Sequence, residues 1–160
     1  MLNKIYRLNE IDRLLLAIKK NCQPTVLVGG CFDIIHIGHI KFLRAVKKNK
    51  SCLIIILEND AKVKKLKGAG RPFFTQLERA EVLASLLTVD YILLLGDMSK
   101  NHDYEKLVIE LSPNFIGATE SDPLFKIKKV LADRVGAELI MVPKIDMQST
   151  TRIAKLLELD

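Results

Sequence analysis

Apolar and polar positions alternate in blocks along this chain. Ile11, Leu14, Leu15 and Ile18 recur at the i, i+3, i+4, i+7 spacing of a helix face, which predicts an amphipathic helix capped by Asn9 and broken at Gln23–Pro24. Thr25–Gly29 (TVLVG) is a short continuous apolar run, read as a buried strand, and Gly-rich chain follows it. Ile40, Leu43 and Val46–Lys47 set the period of a helix from about Gly38 to Lys48. Cys52–Leu57 (CLIIIL) is β-branched enough to be a second strand. Glu58–Phe74 is polar, lysine-dense and broken by Gly and Pro, which predicts a long surface loop; such loops inside compact domains are often functional. Thr75-x-x-Glu78 is a capping box for a helix through Leu87, with Leu77, Ala80, Ala84 and Leu87 on one face. Further strands are predicted at Tyr91–Leu95, Asn114–Gly117 and Glu138–Val142. Helices are predicted over about Tyr104–Leu111, from Asp122–Pro123 (an N-cap with proline at N1) to about Val135, and from Ser149 onward with Ile153, Leu156 and Leu157.

Strands that alternate with helices make a mostly parallel sheet covered on both faces. Right-handed crossovers then give an α/β, Rossmann-like doubly wound domain. The expectation is one domain over residues 1–160 around a five-stranded sheet, with no internal repeat or linker. Ligands in such folds sit beyond the carboxyl ends of the strands, where strand order reverses.

Composition narrows the setting. The hydrophobic content of 49% and charged content of 28% are those of a globular chain. A net charge of +6 points to an anionic partner, without choosing among nucleic acid, acidic membrane and phosphate-bearing metabolites. Six Phe, three Tyr and no Trp leave the basic stretches without interleaved aromatics, which argues against nucleic acid. The apolar stretch near Leu14–Ile18 is short and interrupted, so neither a signal peptide nor a spanning helix is expected. Cys22, Cys31 and Cys52 are odd in number and lack metal-like spacing, so a reducing cytoplasmic setting without a disulfide framework is expected.

Three segments that follow predicted strands carry unusual chemistry. The first, after the TVLVG strand, is Gly29-Gly30-Cys31-Phe32-Asp33-Ile34-Ile35-His36-Ile37-Gly38-His39. Paired glycines let backbone N–H groups approach a phosphate, and the helix N-terminus that follows favours an anion. His36 and His39 lie three apart and can face one ligand, with Gly38 leaving room for it. A lone histidine at a helix start is usually a capping residue, and it is the cluster that points to phosphate. Asp33 would hold the turn or orient a histidine. The second segment gathers Lys62, Lys64, Lys65, Lys67 and Arg71 between Asn59 and Pro72; most such runs are solvated basic loops, but this one emerges on the same sheet edge as the first motif, where an anion would relieve the repulsion among its charges. The third, Ser149-Thr150-Thr151, puts hydroxyls and free N–H groups at a helix start, which by itself is as well explained by capping.

The run GCFDIIHIGH resembles the signature of the cytidylyltransferase-like superfamily, in which HxGH sits over the triphosphate. Its flanks, and the spacing of Asp60, Lys67-Gly68 and Arg71-Pro72, look most like the adenylyltransferase domain of ADP-heptose synthase. The resemblance covers Leu2 to Leu157. It implies a nucleotidyltransferase with Mg²⁺ that joins a nucleoside triphosphate, ATP favoured, to a small phosphorylated acceptor such as a sugar 1-phosphate. It makes His36, His39 and Lys67 catalytic. Gly30, Cys31, Phe32, Asp33, Gly38, Arg79, Gly117, Ser149, Thr150 and Thr151 fall to the nucleotide, and Lys64 and Arg71 to the acceptor. It implies no membrane and no protein-held metal site, and allows a homodimer, for which no residue signature is legible.

The chain also departs from the pattern. Relatives carry a Gly-Asp pair after the fourth strand, where this chain has Gly117-Ala118-Thr119-Glu120-Ser121-Asp122-Pro123. The glycerol-phosphate branch carries an arginine near Leu87, absent here. Two alternatives remain: a CTP-dependent enzyme acting on glycerol-3-phosphate or another polyol phosphate, and a catalytically silent nucleotide-binding regulator. Intact His36, His39 and Lys67 argue against the second.

Overall fold

The computed structural model describes residues 4–21, 24–47, 50–98 and 101–143. Six parallel strands form one sheet: β1 (Ile5–Arg7), β2 (Thr25–Gly30), β3 (Cys52–Leu57), β4 (Tyr91–Leu94), β5 (Phe115–Thr119) and β6 (Glu138–Val142), in the order β1-β4-β3-β2-β5-β6. Among the described residues six α-helices cover it: α1 (Ile11–Asn21), α2 (Ile37–Val46), α3 (Asp60–Lys67), α4 (Gln76–Ala84), α5 (Asn101–Leu111) and α6 (Phe125–Val135). Chain order reverses between β2 and β5, so the switch point of this doubly wound sheet lies at their carboxyl ends.

The central strands alternate between two cores. Ile54 and Ile56 pack with Leu14 and Ile18 of α1 and Leu107 and Leu111 of α5. Leu53, Ile55 and Leu57 pack with Leu43 and Val46 of α2 and Leu83 of α4. A run apolar at every position is what a strand buried on both faces requires.

Several expectations need correction. The sheet has six strands, not five: the additional β1 pairs Ile5, Tyr6 and Arg7 with Ile92, Leu93 and Leu94 at one edge, and three residues are too few to show a period. Asn9 does not cap the first helix. It sits in a 3-10 turn, Leu8–Glu10, where the Glu10 carboxylate accepts from the Arg7 N–H at 3.0 Å. Helix α4 keeps its predicted capping box, Thr75 with Glu78, but ends at Ala84 and buries Arg79, Ala80 and Leu83; Leu87 is 96% exposed. Helix α6 begins at Phe125, because the Asp122 carboxylate accepts from the Leu124 N–H in a turn ahead of it. Cys52 is disulfide-bonded, contrary to the expectation from the cysteine count, and its partner lies outside the described residues.

The predicted loop Glu58–Phe74 contains α3. The Asn59 side chain caps it, accepting from the Lys62 N–H at 2.7 Å, and Gly68, at φ 109°, ends it. Only Val63 of this helix is buried, which explains why its lysine-rich sequence shows no apolar stripe.

Candidate active site

Strand β2 runs out at Gly30 beside the switch point, and Cys31, Phe32, His36, Gly38 and His39 beyond it line a cavity of about 300 Å³. Phe32 takes a left-handed φ of 46°, and its ring lies where a side chain on residue 30 would go: a Cβ on Gly30 would stand 2.8 Å from Phe32 Cε2. His36 caps α2, its Nδ1 accepting from the Gly38 N–H at 3.1 Å. The neutral His36 ring therefore carries its proton on Nε2 and has a donor to offer a ligand. His39 Nδ1 reaches back to the His36 N–H at 3.4 Å, which stacks the two rings with centroids 3.9 Å apart and 30° between planes. The Phe32 ring also lies against His39, with centroids 5.2 Å apart and 56° between planes. Gly38 has a use the sequence did not reveal. A Cβ there would stand 2.9 Å from His36 Cε1, so the glycine makes room for the histidine ring.

Burial, then the neighbouring His36, then the charge of Lys67 hold the His39 pKa down at about 4, against a hydrogen bond to the Ile34 backbone. Burial and Lys67 also lower His36. Both rings are thus neutral at pH 7, suited to donating hydrogen bonds rather than carrying charge. The Cys31 thiol is pushed up by burial against the pull of Lys67, which keeps it protonated and a poor nucleophile. Lys67 ends α3 with its side chain in solvent, near enough for its charge to act on Cys31, His36 and His39. Lys64 is exposed one turn earlier on the same helix.

Three residues that the resemblance assigns to ligands are held by partners within the fold, Asp33 among them in the turn-holding role its position suggests. Asp33 is 3% exposed; its Oδ2 accepts from Arg71 Nε at 2.5 Å and its Oδ1 from the Phe73 N–H at 2.8 Å. Arg71 is as buried as Asp33 and stacks over the Phe73 ring at 4.5 Å. Arg79 is 1% exposed and donates to four groups: the carbonyls of Cys31, Glu58 and Phe74, and Asp60 Oδ1. Gly117 has a packing reason of its own. It is buried in β5, where a Cβ would meet Val28 and Val46 at 2.9 Å, so its place is taken by the packing of α2 on the sheet. Ser149, Thr150 and Thr151 lie outside the described residues.

The opposite wall of the cavity comes from the end of β5 and from α6, chiefly Thr119, Asp122 and Lys128. Lys128 Nζ donates to Asp122 Oδ2 at 2.6 Å, and both side chains are largely buried. Sequence reasoning missed Lys128. Asp122 six positions earlier, on a segment already marked by position, was the available signal. Among the described residues no three His, Cys, Asp or Glu side chains gather to hold a metal ion, and no helix is long and apolar enough to cross a membrane.

This architecture and this HxGH site have a counterpart among known proteins. The cytidylyltransferase-like family model matches residues 27–152, and the chain belongs to that family. Its class is therefore nucleotidyltransferase. Curated relatives include the bifunctional protein HldE of Aliarcobacter butzleri, 34% identical over 149 residues and 93% of this chain. The HldE of Campylobacter jejuni subsp. jejuni serotype O:2 is 33% identical over 92% of it. The chain spans 30% of the length of each of these relatives. Among solved structures, a pantoate-beta-alanine ligase from Francisella tularensis superimposes with a TM-score of 0.65 at 14% identity, covering 89% of this chain and 67% of its own. A lipopolysaccharide core biosynthesis protein from Thermoplasma volcanium gives 0.60 at 24% identity, covering 78% and 98%. At such identities these two speak for the fold alone.

Proposed function

We propose that this domain transfers adenylyl from ATP to a sugar 1-phosphate, releasing pyrophosphate. The observation that carries the reading is the stacked pair of neutral histidines at the start of α2, opening on a cavity at the switch point with the Lys67 charge beside it. ATP and a sugar phosphate are favoured by the likeness of the motif's flanks to the adenylyltransferase domain of ADP-heptose synthase.

In the reaction a phosphate oxygen of the acceptor attacks the α-phosphorus in line. A new P–O bond forms as the bond to the β-phosphate breaks, and the electron pair leaves with pyrophosphate. The attacking oxygen is already ionised near neutral pH, so no strong general base is required. What the chain must supply is position and charge neutralisation. His36 and His39 donate hydrogen bonds to phosphoryl oxygens as charge builds there, and Lys67 neutralises the phosphates being joined. Mg²⁺ would enter with the triphosphate and would add to the neutralisation of charge on its phosphates. A cytoplasmic location goes with this reading, since the triphosphate is supplied there.

A panel tests it: ATP, CTP, GTP and UTP with Mg²⁺, each against a heptose 1-phosphate, other sugar 1-phosphates and glycerol-3-phosphate, with pyrophosphate release as readout. The expected result is release with ATP and a sugar 1-phosphate. Release only with CTP and a polyol phosphate would transfer the enzyme to the cytidylyl branch. Silence in every well would favour a nucleotide-binding regulator.

A further inference from the structure

We infer that two carboxylate–arginine pairs, Asp60–Arg79 and Asp33–Arg71, form a clamp that positions α3, and with it Lys67, against the histidine segment. The inference rests on the reading of Lys67 as the cation of the transfer site.

Helix α3 is poorly held by packing. Val63 is its one buried side chain, and Leu66 is 60% exposed. A helix of eight residues is marginal without tertiary support. Yet Lys67, at its far end, must meet phosphates bound at the start of α2. Something other than apolar contact has to fix that distance.

Both ends of the helix are tied by a buried arginine to the chain just ahead of His36. At the N-terminal end, Arg79 Nη2 donates to Asp60 Oδ1 at 2.7 Å and to the Glu58 carbonyl at 2.8 Å. The other arm of the same guanidinium donates to the carbonyl of Cys31. One rigid planar group thus joins the ends of β2 and β3 to the first residue of α3. Past the C-terminal end, the Arg71 N–H donates to the Gly68 carbonyl at 3.2 Å, closing the turn that follows Lys67. The Arg71 side chain then pairs with Asp33, three residues ahead of His36, and Asp33 also holds the Phe73 N–H. The Arg71 and Asp33 side chains are each 1% exposed. Charges so buried are held in fixed geometry, and removing either member would leave its partner uncompensated. Arg79 and Arg71 are therefore positioning residues, acting on phosphate only through where they place Lys67.

The test uses Asp60, because its side chain is 45% exposed and Arg79 keeps its carbonyl partners without it. The affinity of the purified chain for ATP–Mg²⁺ and CTP–Mg²⁺, with no acceptor present, is measured by calorimetry for wild type, Asp60→Ala, Lys67→Ala and the double variant. The tighter of the two nucleotides is then followed, alongside thermal unfolding. Lys67→Ala should weaken binding about tenfold, the scale of a charge-assisted bond. Asp60→Ala should weaken it several-fold with little change in the unfolding midpoint, and the double variant should bind no more weakly than Lys67→Ala alone. Asp60→Asn keeps an acceptor for Arg79 and should restore most of the loss. Losses that multiply in the double variant, or Asp60→Ala binding like wild type, would overturn the clamp while leaving the site intact. If neither nucleotide binds, or Lys67→Ala binds like wild type, the reading of the site fails and the clamp with it.

Discussion

Replacing Gly38 by alanine puts a methyl carbon 2.9 Å from His36 Cε1 and 3.0 Å from its Nδ1. Ordinary contact begins at 3.4 Å, so the imidazole must retreat by about 0.5 Å or more. The ring is a side chain and can swing, so the fold survives. Its bond from the Gly38 N–H, now 3.1 Å, does not. The effects on stability nearly cancel. Losing the cap costs about 1 kcal/mol, and exchanging glycine for alanine inside a helix returns up to about 1 kcal/mol. The melting temperature should therefore move by only a few degrees. Catalysis has no such offset, because a preorganised donor displaced by a sizeable fraction of 1 Å loses much of its effect on the transition state. Turnover should fall roughly 10²-fold, approaching the effect of deleting the His36 side chain. Pyrophosphate release with ATP and the acceptor found by the panel measures turnover, and thermal unfolding measures the fold. Turnover within about threefold of wild type would refute the claim that Gly38 exists to seat His36.

Three further outcomes follow from the same geometry. His39, with its pKa lowered to about 4, binds fewer protons folded than unfolded, so its contribution is complete above pH 6.5 and is lost progressively as pH falls from 6.5 to about 4; unfolding between pH 4 and 8 should show wild type losing about 2–3 kcal/mol more than His39→Asn on acidification, and parallel curves would remove the lowered pKa. Lys67→Ala should cut turnover sharply while Lys62→Ala, whose side chain lies over Tyr104 at 5.7 Å, changes it little; equal kinetics would leave Lys67 without a role. Gly117→Ala should destabilise by about 1–3 kcal/mol by overpacking Val28 and Val46; unchanged stability with weakened nucleotide binding would instead return Gly117 to the ligand.

The sheet and the site differ in how far they could be read from the chain. Strand β3 runs over Cys52–Leu57 as its apolar run predicts, because burial on both faces leaves an unbroken apolar string; the edge strand β6 also keeps its predicted bounds, Glu138–Val142, with Ile140 and Val142 buried at alternate positions. Helix α3 was hidden for the opposite reason. With Val63 alone facing the core, its fold is written in caps and ion pairs rather than in periodicity. The histidines announce themselves because the motif is local, within one turn of helix. The arginines do not. A buried Arg71 or Arg79 has the same letter as one in solvent, and the partners that bury them, Asp33 and Cys31, lie 38 and 48 residues away. Gly38 shows the same limit: its sequence position reads as room for a ligand, and in the fold the nearest claim on that room is the His36 ring.

The claim on which the account depends is that bond cleavage occurs between the α- and β-phosphates. It is tested most directly by following two labels in one reaction. The purified chain is incubated with Mg²⁺, the acceptor found by the panel and ATP labelled at either the α- or the γ-phosphate, and the products are separated. The account predicts that α-label moves onto the acceptor and γ-label appears in pyrophosphate, in equal amounts and at equal rates. Label from the γ-position appearing as orthophosphate or on the acceptor, with the α-label remaining in ADP, would make the protein a phosphatase or kinase and contradict the account.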